Sequence, residues 1–133
     1  SELRLPRAVE TGLRAQGIDP ATMTASEMVR GMLSLLGYQV SAGIAPGTWT
    51  AEKAGRRTLL REDPGEGTPD PETDEQAVRN FLVEFVSSGA DQGLFVSGKY
   101  APFSIYDVER REPRIRFLGR ERLQRFVDTL ALS

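Results

Sequence analysis

The residues able to do chemistry in this chain are carboxylates, hydroxyls, two lysines and many arginines. Histidine and cysteine are both absent. That removes imidazole bases, imidazole and thiolate metal sites, disulfides and any Ser-His relay. A bound metal would have to sit on carboxylates, carbonyls and water, a donor set that suits magnesium or manganese. Carboxylates gather around residues 48–63, TWTAEKAGRRTLLRED. They are Glu52, Glu62 and Asp63, with Asp70 just beyond and Lys53 close by. Other chemistries have less support. No GxxxxGK[ST] loop and no GxGxxG after a strand is present, so nucleotide binding has no motif behind it. VSSGADQG sets serines beside a helix end, where a Ser-Lys pair is formally open. No RRM-type aromatic platform is evident.

Basic residues form the second set. The net charge is only −2, yet the charges are segregated along the chain. Residues 62–75 carry seven acids and no base, whereas residues 110–125 carry seven arginines against Glu112 and Glu121. A weak overall charge therefore leaves room for a basic face that meets a polyanion. Lys53, Arg56 and Arg57 cluster at one turn. Lys99 and Tyr100 follow a strand end, and Arg114 and Arg116 alternate with Ile115 and Phe117. Arginine suits bidentate phosphate contacts. The plain alternative for each cluster is a solvated charged surface.

These groups are positioned by a chain of 133 residues, long enough for one buried core. No apolar run reaches membrane-spanning length. The opening residues carry no signal-peptide pattern, and a bacterial cytoplasm is the expected location. LRLPRAVETGLRAQG predicts a short helix with Pro6 in its first turn and Gly17 at its end. It belongs to an N-terminal helical extension over residues 1–20, able to cover the sheet or to mediate a homodimer. In residues 24–38, Thr24 and Glu27 form a capping box. Met28, Met32, Leu35 and Leu36 share a face, and Gly37 ends the helix. YQVSAGI reads as a strand, and TWTAEK and RRTLLRE as a hairpin turning at Ala54-Gly55. Residues 62–73 read as a mobile acidic loop, rich in Gly and Pro. TDEQAVRNFLVEFVSSG predicts a helix with Thr73 as N-cap and Gln76 closing its box. Val78, Phe81, Leu82, Phe85 and Val86 form its apolar stripe. Then come a buried strand in QGLFVSGK, a short helix stopped by Pro113, the alternating strand RIRFLG, and a last helix packing Leu123, Phe126, Val127 and Leu130. Strands alternating with helices point to an α/β layer with a mixed sheet.

The frame SEMVRGMLSLLGYQV, a hairpin around AEKAGRRTLL, a long helix, GADQGLFVSGKYAPFSIYDV and RIRFLGRERLQRFV resembles the Mrr-like restriction endonuclease family. That family belongs to the PD-(D/E)XK nuclease superfamily. The likeness covers roughly residues 24–131 and rests on the order and spacing of elements. It implies a restriction-endonuclease-like three-layer fold over residues 21–133, in which a mixed central sheet containing the hairpin is flanked by helices. It also implies a site. An Asp would begin the first hairpin strand, and an acid or Gln two residues before a Lys would end the second. The acids would hold Mg²⁺ and the Lys would orient water.

On that pattern Thr48 falls at the Asp, Arg61 at the acid or Gln, and Asp63 at the Lys. A hydroxyl is a poor substitute for a carboxylate on Mg²⁺, an Arg repels the ion, and an Asp reverses the lysine's charge. Glu27 alone matches an acid often found in the family, and it doubles as a helix cap. The expectation is a catalytically degenerate domain, without metal or other cofactor, that binds DNA or supports a DNA-processing complex such as one of repair. The DNA contacts would come from Lys53, Arg56, Arg57, Lys99, Arg114 and Arg116. Two alternatives stay open. One is an active Mg- or Mn-dependent endonuclease with a migrated site drawn from Glu27, Glu62 and Asp63, against which Glu62 and Asp63 merely open a solvated loop. The other is a protein-interaction module, with Trp49 as an anchor or simply as packing.

Overall fold

Ala54 and Gly55 both adopt positive φ, 52° and 77°. Two such residues in succession make the tight turn that matches strand twist, so the chain folds back on itself between β2 (Thr48–Lys53) and β3 (Arg56–Glu62). Thr48 pairs with Arg61 and Lys53 with Arg56 across this hairpin, the expected register. The computed structural model describes residues 3–131. Before the hairpin come α1 (Arg7–Ala15), α2 (Ala25–Leu35) and β1 (Gln39–Ala42). After it come α3 (Glu75–Ser88), β4 (Gln92–Val96), α4 (Ile105–Arg111), β5 (Ile115–Leu118) and α5 (Arg120–Ala131).

The five strands form one sheet in chain order, β1 to β5. β1, β2 and β3 are antiparallel neighbours, whereas β3, β4 and β5 run parallel. The molecule is thus α/β with a mixed sheet flanked by helices. Both faces of the sheet are covered. On one face Ala51, Leu60 and Val96 meet Met28, Val29, Met32 and Leu33 of α2 and Leu123 and Val127 of α5. Val9 and Leu13 of α1 join that core. On the other face Phe95, Ile115 and Phe117 meet Val78, Phe81 and Phe85 of α3 and Ile105 of α4. Phe81 stands edge-on to Phe95 and Phe117, with centroids 5.7 and 6.2 Å away, a preferred aromatic geometry. Among the described residues no helix is long and apolar enough to cross a membrane.

Several local expectations are corrected. The N-cap of α3 is Asp74, whose side chain accepts from the Gln76 N–H. Thr73 is instead buried, its hydroxyl donating to Asp63. Gln76 bonds Asn80 rather than closing a box. Val86, expected in the core stripe, is exposed, as is Leu35 of α2. Val29 and Leu33 are the apolar side chains that α2 buries in addition to its methionines. Pro6 is the N-cap of α1, not part of its first turn. The predicted capping box of Thr24 with Glu27 is present. Gly17, Gly37 and Gly89 end their helices at positive φ. Gly89 is the left-handed cap of α3.

Candidate functional site

The parallel strands give the sheet a direction. Their carboxyl ends lie near Asp63, Ser97 and Gly119, and their amino ends near Arg56, Gln92 and Arg114. Ligands of open α/β sheets sit outside the carboxyl ends, and that end holds a polar cluster.

Asp63 stands immediately after β3, where its N–H donates to the Val96 carbonyl. Its side chain is buried, not solvated. One carboxyl oxygen accepts from the Ser97 hydroxyl at 2.7 Å and the Thr73 hydroxyl at 3.0 Å. The other accepts from the Gly65 N–H at 2.8 Å. Ser97 accepts in turn from the Lys99 N–H at 3.0 Å. The Lys99 side chain is buried too, and its ammonium donates to the Thr68 hydroxyl. Glu66 reaches back to accept from the Gly98 N–H at 2.8 Å, while its second oxygen is buried without a partner. Burial pushes the Glu66 pKa up, helped by Asp63 and Glu62 and opposed by the Gly98 N–H and Lys99. The first half of the acidic segment is therefore tied onto the strand ends by its own hydrogen bonds.

Arg61 and Asp63 lie on the side of the sheet covered by α3, because residues two apart on a strand share a face. The Arg61 guanidinium makes a two-pronged contact with Glu84 of α3, at 2.9 and 3.0 Å, and also donates to the Pro46 carbonyl. Thr48 donates to the Ala45 carbonyl at 2.5 Å and is buried. Glu62 alternates to the opposite side, that of α2. There Arg30 stacks on Trp49, its guanidinium 3.8 Å from the ring centroid. Burial lowers the Arg30 pKa, while Glu62 and Glu27 act to raise it. Trp49 packs against the α2-side core. The mapped set Thr48, Arg61, Asp63 and Glu27 does not converge, since Glu27 is across the sheet from the other three. Glu27 and Glu62 do share a side, and both act electrostatically on Arg30 there. Among the described residues no group of three or more acids converges on a possible metal position.

The six cations expected to meet phosphate are not one surface. Lys99 is buried at the carboxyl end. The others stand toward the amino end, where α2 and α3 finish, and most are already engaged. Lys53 donates to the Leu36 carbonyl at 2.6 Å, closing α2. Arg57 donates to the Ser88 carbonyl at 3.0 Å, closing α3. Basic groups at helix C-termini satisfy open carbonyls and complement the dipole. Arg114 pairs with Glu112 and lies over the Phe85 ring. Arg116 donates to the Pro113 and Ile115 carbonyls. Arg56 is exposed, and its side chain makes no hydrogen bond or ion pair among the described residues.

Sequence reasoning missed Ser97 and Thr73 as partners of Asp63, Glu66 as the acid that accepts from Gly98 beside them, and Arg30 as a charge beside Trp49. The spacing of Asp63 and Lys99 carries no local signal, because the parallel pairing of β3 with β4 brings them together. Arg30 was findable. It follows Glu27 by three residues on one helix face. Comparison with known proteins finds no matching family model, no matching curated protein and no matching solved structure.

Proposed function

We propose that this chain is a restriction-endonuclease-like domain in which guanidinium groups have taken over the positions of cation chemistry, and that it contributes contacts rather than cleavage to a DNA-processing assembly. The observation that carries this reading is the pair of arginines at the hairpin. Arg61 is locked to Glu84 at 2.9 Å on one side of the sheet. Arg30 is held over Trp49 on the other, its guanidinium donating to the Ser26 hydroxyl at 3.1 Å. A fixed guanidinium opposes entry of a divalent ion by direct charge repulsion. Asp63, at the position where the family implies a lysine, is consumed by three hydrogen bonds and has a structural role.

The test is a cleavage panel. Plasmid, linear duplex and single-stranded DNA are incubated with Mg²⁺ or Mn²⁺. The expected outcome is no cleavage by the wild type. Metal-dependent cleavage that disappears in Glu62→Ala would instead establish the migrated-site alternative, for which the shared side of Glu27 and Glu62 is the supporting observation. Direct DNA binding is a narrower version of the proposal. Exposed Arg56, next to Arg114 on a shallow hollow that also includes Asp91, supports only weak and steeply salt-dependent retention of duplex.

A further inference from the structure

The two edges of the sheet are finished differently. On β5 the outward backbone groups are those of Ile115 and Phe117, because Arg114 and Leu118 bond β4 through their carbonyls. All four outward groups have partners. The Ile115 N–H donates to the Glu112 carbonyl at 3.1 Å, and the Ile115 carbonyl accepts from Arg116 at 3.0 Å. The Phe117 N–H donates to Glu109 at 2.9 Å, and the Phe117 carbonyl accepts from Arg122 at 3.0 Å. Glu109 and Arg122 are themselves an ion pair. A side-chain clamp thus closes this edge against strand addition, as edge strands require.

β1 has no such closure. Gly43 donates to the Thr48 carbonyl at 2.8 Å, and the antiparallel alternation then turns Ser41 and Gln39 toward β2 and Val40 and Ala42 outward. The N–H and carbonyl of Val40 and of Ala42 have no partner among the described residues. From Tyr38 to Gly47 the sequence YQVSAGIAPG contains no charged residue. It carries none of the lysines or inward charges that guard natural edges, and its one proline, Pro46, lies beyond the strand. Beside the edge Ile44 is fully exposed.

We propose that β1 pairs antiparallel with β1 of a second copy of this chain, joining two sheets across a two-fold axis. A register centred on Ser41 sets Val40 of one copy opposite Ala42 of the other, so both outward pairs exchange their hydrogen bonds. It also sets Tyr38 opposite Ile44. The uncharged strand favours a self-complementary contact, since two-fold symmetry brings no like charges together. A four-residue strand with one exposed isoleucine at its side buries less than the roughly 800 Å² per partner of a stable interface. The dimer is therefore weak, with a dissociation constant on the order of micromolar or above. This pairing is independent of whether the domain cleaves nucleic acid.

Sedimentation velocity over about 1 to about 500 µM protein tests it. The expected mass rises from the 14.7 kDa monomer toward twice that value. Amide exchange at Val40 and Ala42 slows over the same range. Ala42→Pro removes an outward N–H while leaving the bonds to β2 intact, so it abolishes the rise without changing the circular dichroism or the thermal midpoint. Ile44→Asp, at a fully exposed position, weakens the dimer at least about tenfold, because it removes the apolar side chain facing Tyr38 of the other copy and sets a carboxylate there that must be desolvated. A constant monomer mass over the whole range overturns the proposal. So does a dimer that neither substitution weakens.

Discussion

The carboxyl and amino ends of the parallel strands carry charged residues in similar supply and use them in opposite ways. At the carboxyl end Asp63, Ser97 and Thr73 are buried and satisfy one another, and the buried Lys99 ammonium is satisfied by Thr68. At the amino end Lys53, Arg57, Arg114 and Arg116 stay near the surface, where they finish helices, pair locally or cover backbone carbonyls. The difference follows from polarity. Helices connecting parallel strands present their N–H ends at one end of the sheet and their carbonyl ends at the other. Cations at the carbonyl ends have an immediate structural use, so a run of arginines in sequence need not make a nucleic-acid surface.

If that contrast is right, substitutions should cost much at one end and little at the other. The largest effect is expected for Asp63→Ala. It strands two buried hydroxyls and an N–H and removes the anchor of the following loop, and should destabilise by about 3 kcal/mol in urea unfolding. Arg61→Ala comes next, at roughly 1–3 kcal/mol, because it leaves the half-buried Glu84 without its fork. Glu66 should sharpen the picture through pH. Its pKa is raised by burial, so folding favours the protonated form. Its contribution is fully present below the ordinary carboxylate value and is lost as pH rises through the raised folded value. The unfolding midpoint of Glu66→Gln should therefore fall less than that of the wild type between about pH 4 and about pH 7. At the amino end, Lys53→Ala and Arg57→Ala should each cost only about 0.5 kcal/mol. A loss at Lys53 equal to that at Asp63 would erase the contrast.

Much of the fold was legible because its signals are local. Ala54-Gly55, the Thr24 and Glu27 box, the glycines after α1, α2 and α3, and the alternation of Ile115 and Phe117 each fix a turn, a cap or a face by themselves. Val86 shares the spacing of the α3 stripe yet is exposed, because apolar residues on a helix surface are common and carry no obligation to be buried. Thr73 and Asp74 are both good N-caps, so their residue types alone do not choose between them. The choice between them is made by Asp63 and Ser97, ten and twenty-four residues away, which take the threonine hydroxyl. The candidate site was the least legible part. Its hairpin register follows from Ala54-Gly55, but β3 is covered on both faces, by Leu60 against α2 and Leu59 toward α3. Which residues share a side with Glu27 depends on that three-layer packing. The sequence pattern near Asp63 and Glu62 does not specify it.

The most direct test of the central claim is a calorimetric titration of the protein with Mn²⁺ near neutral pH. The claim that arginines stand in for the cation predicts no saturable heat and the same flat trace for Glu62→Ala. Saturable binding of one Mn²⁺ per chain, lost in Glu62→Ala and in Glu27→Ala, would contradict it and show that the two carboxylates still hold a metal.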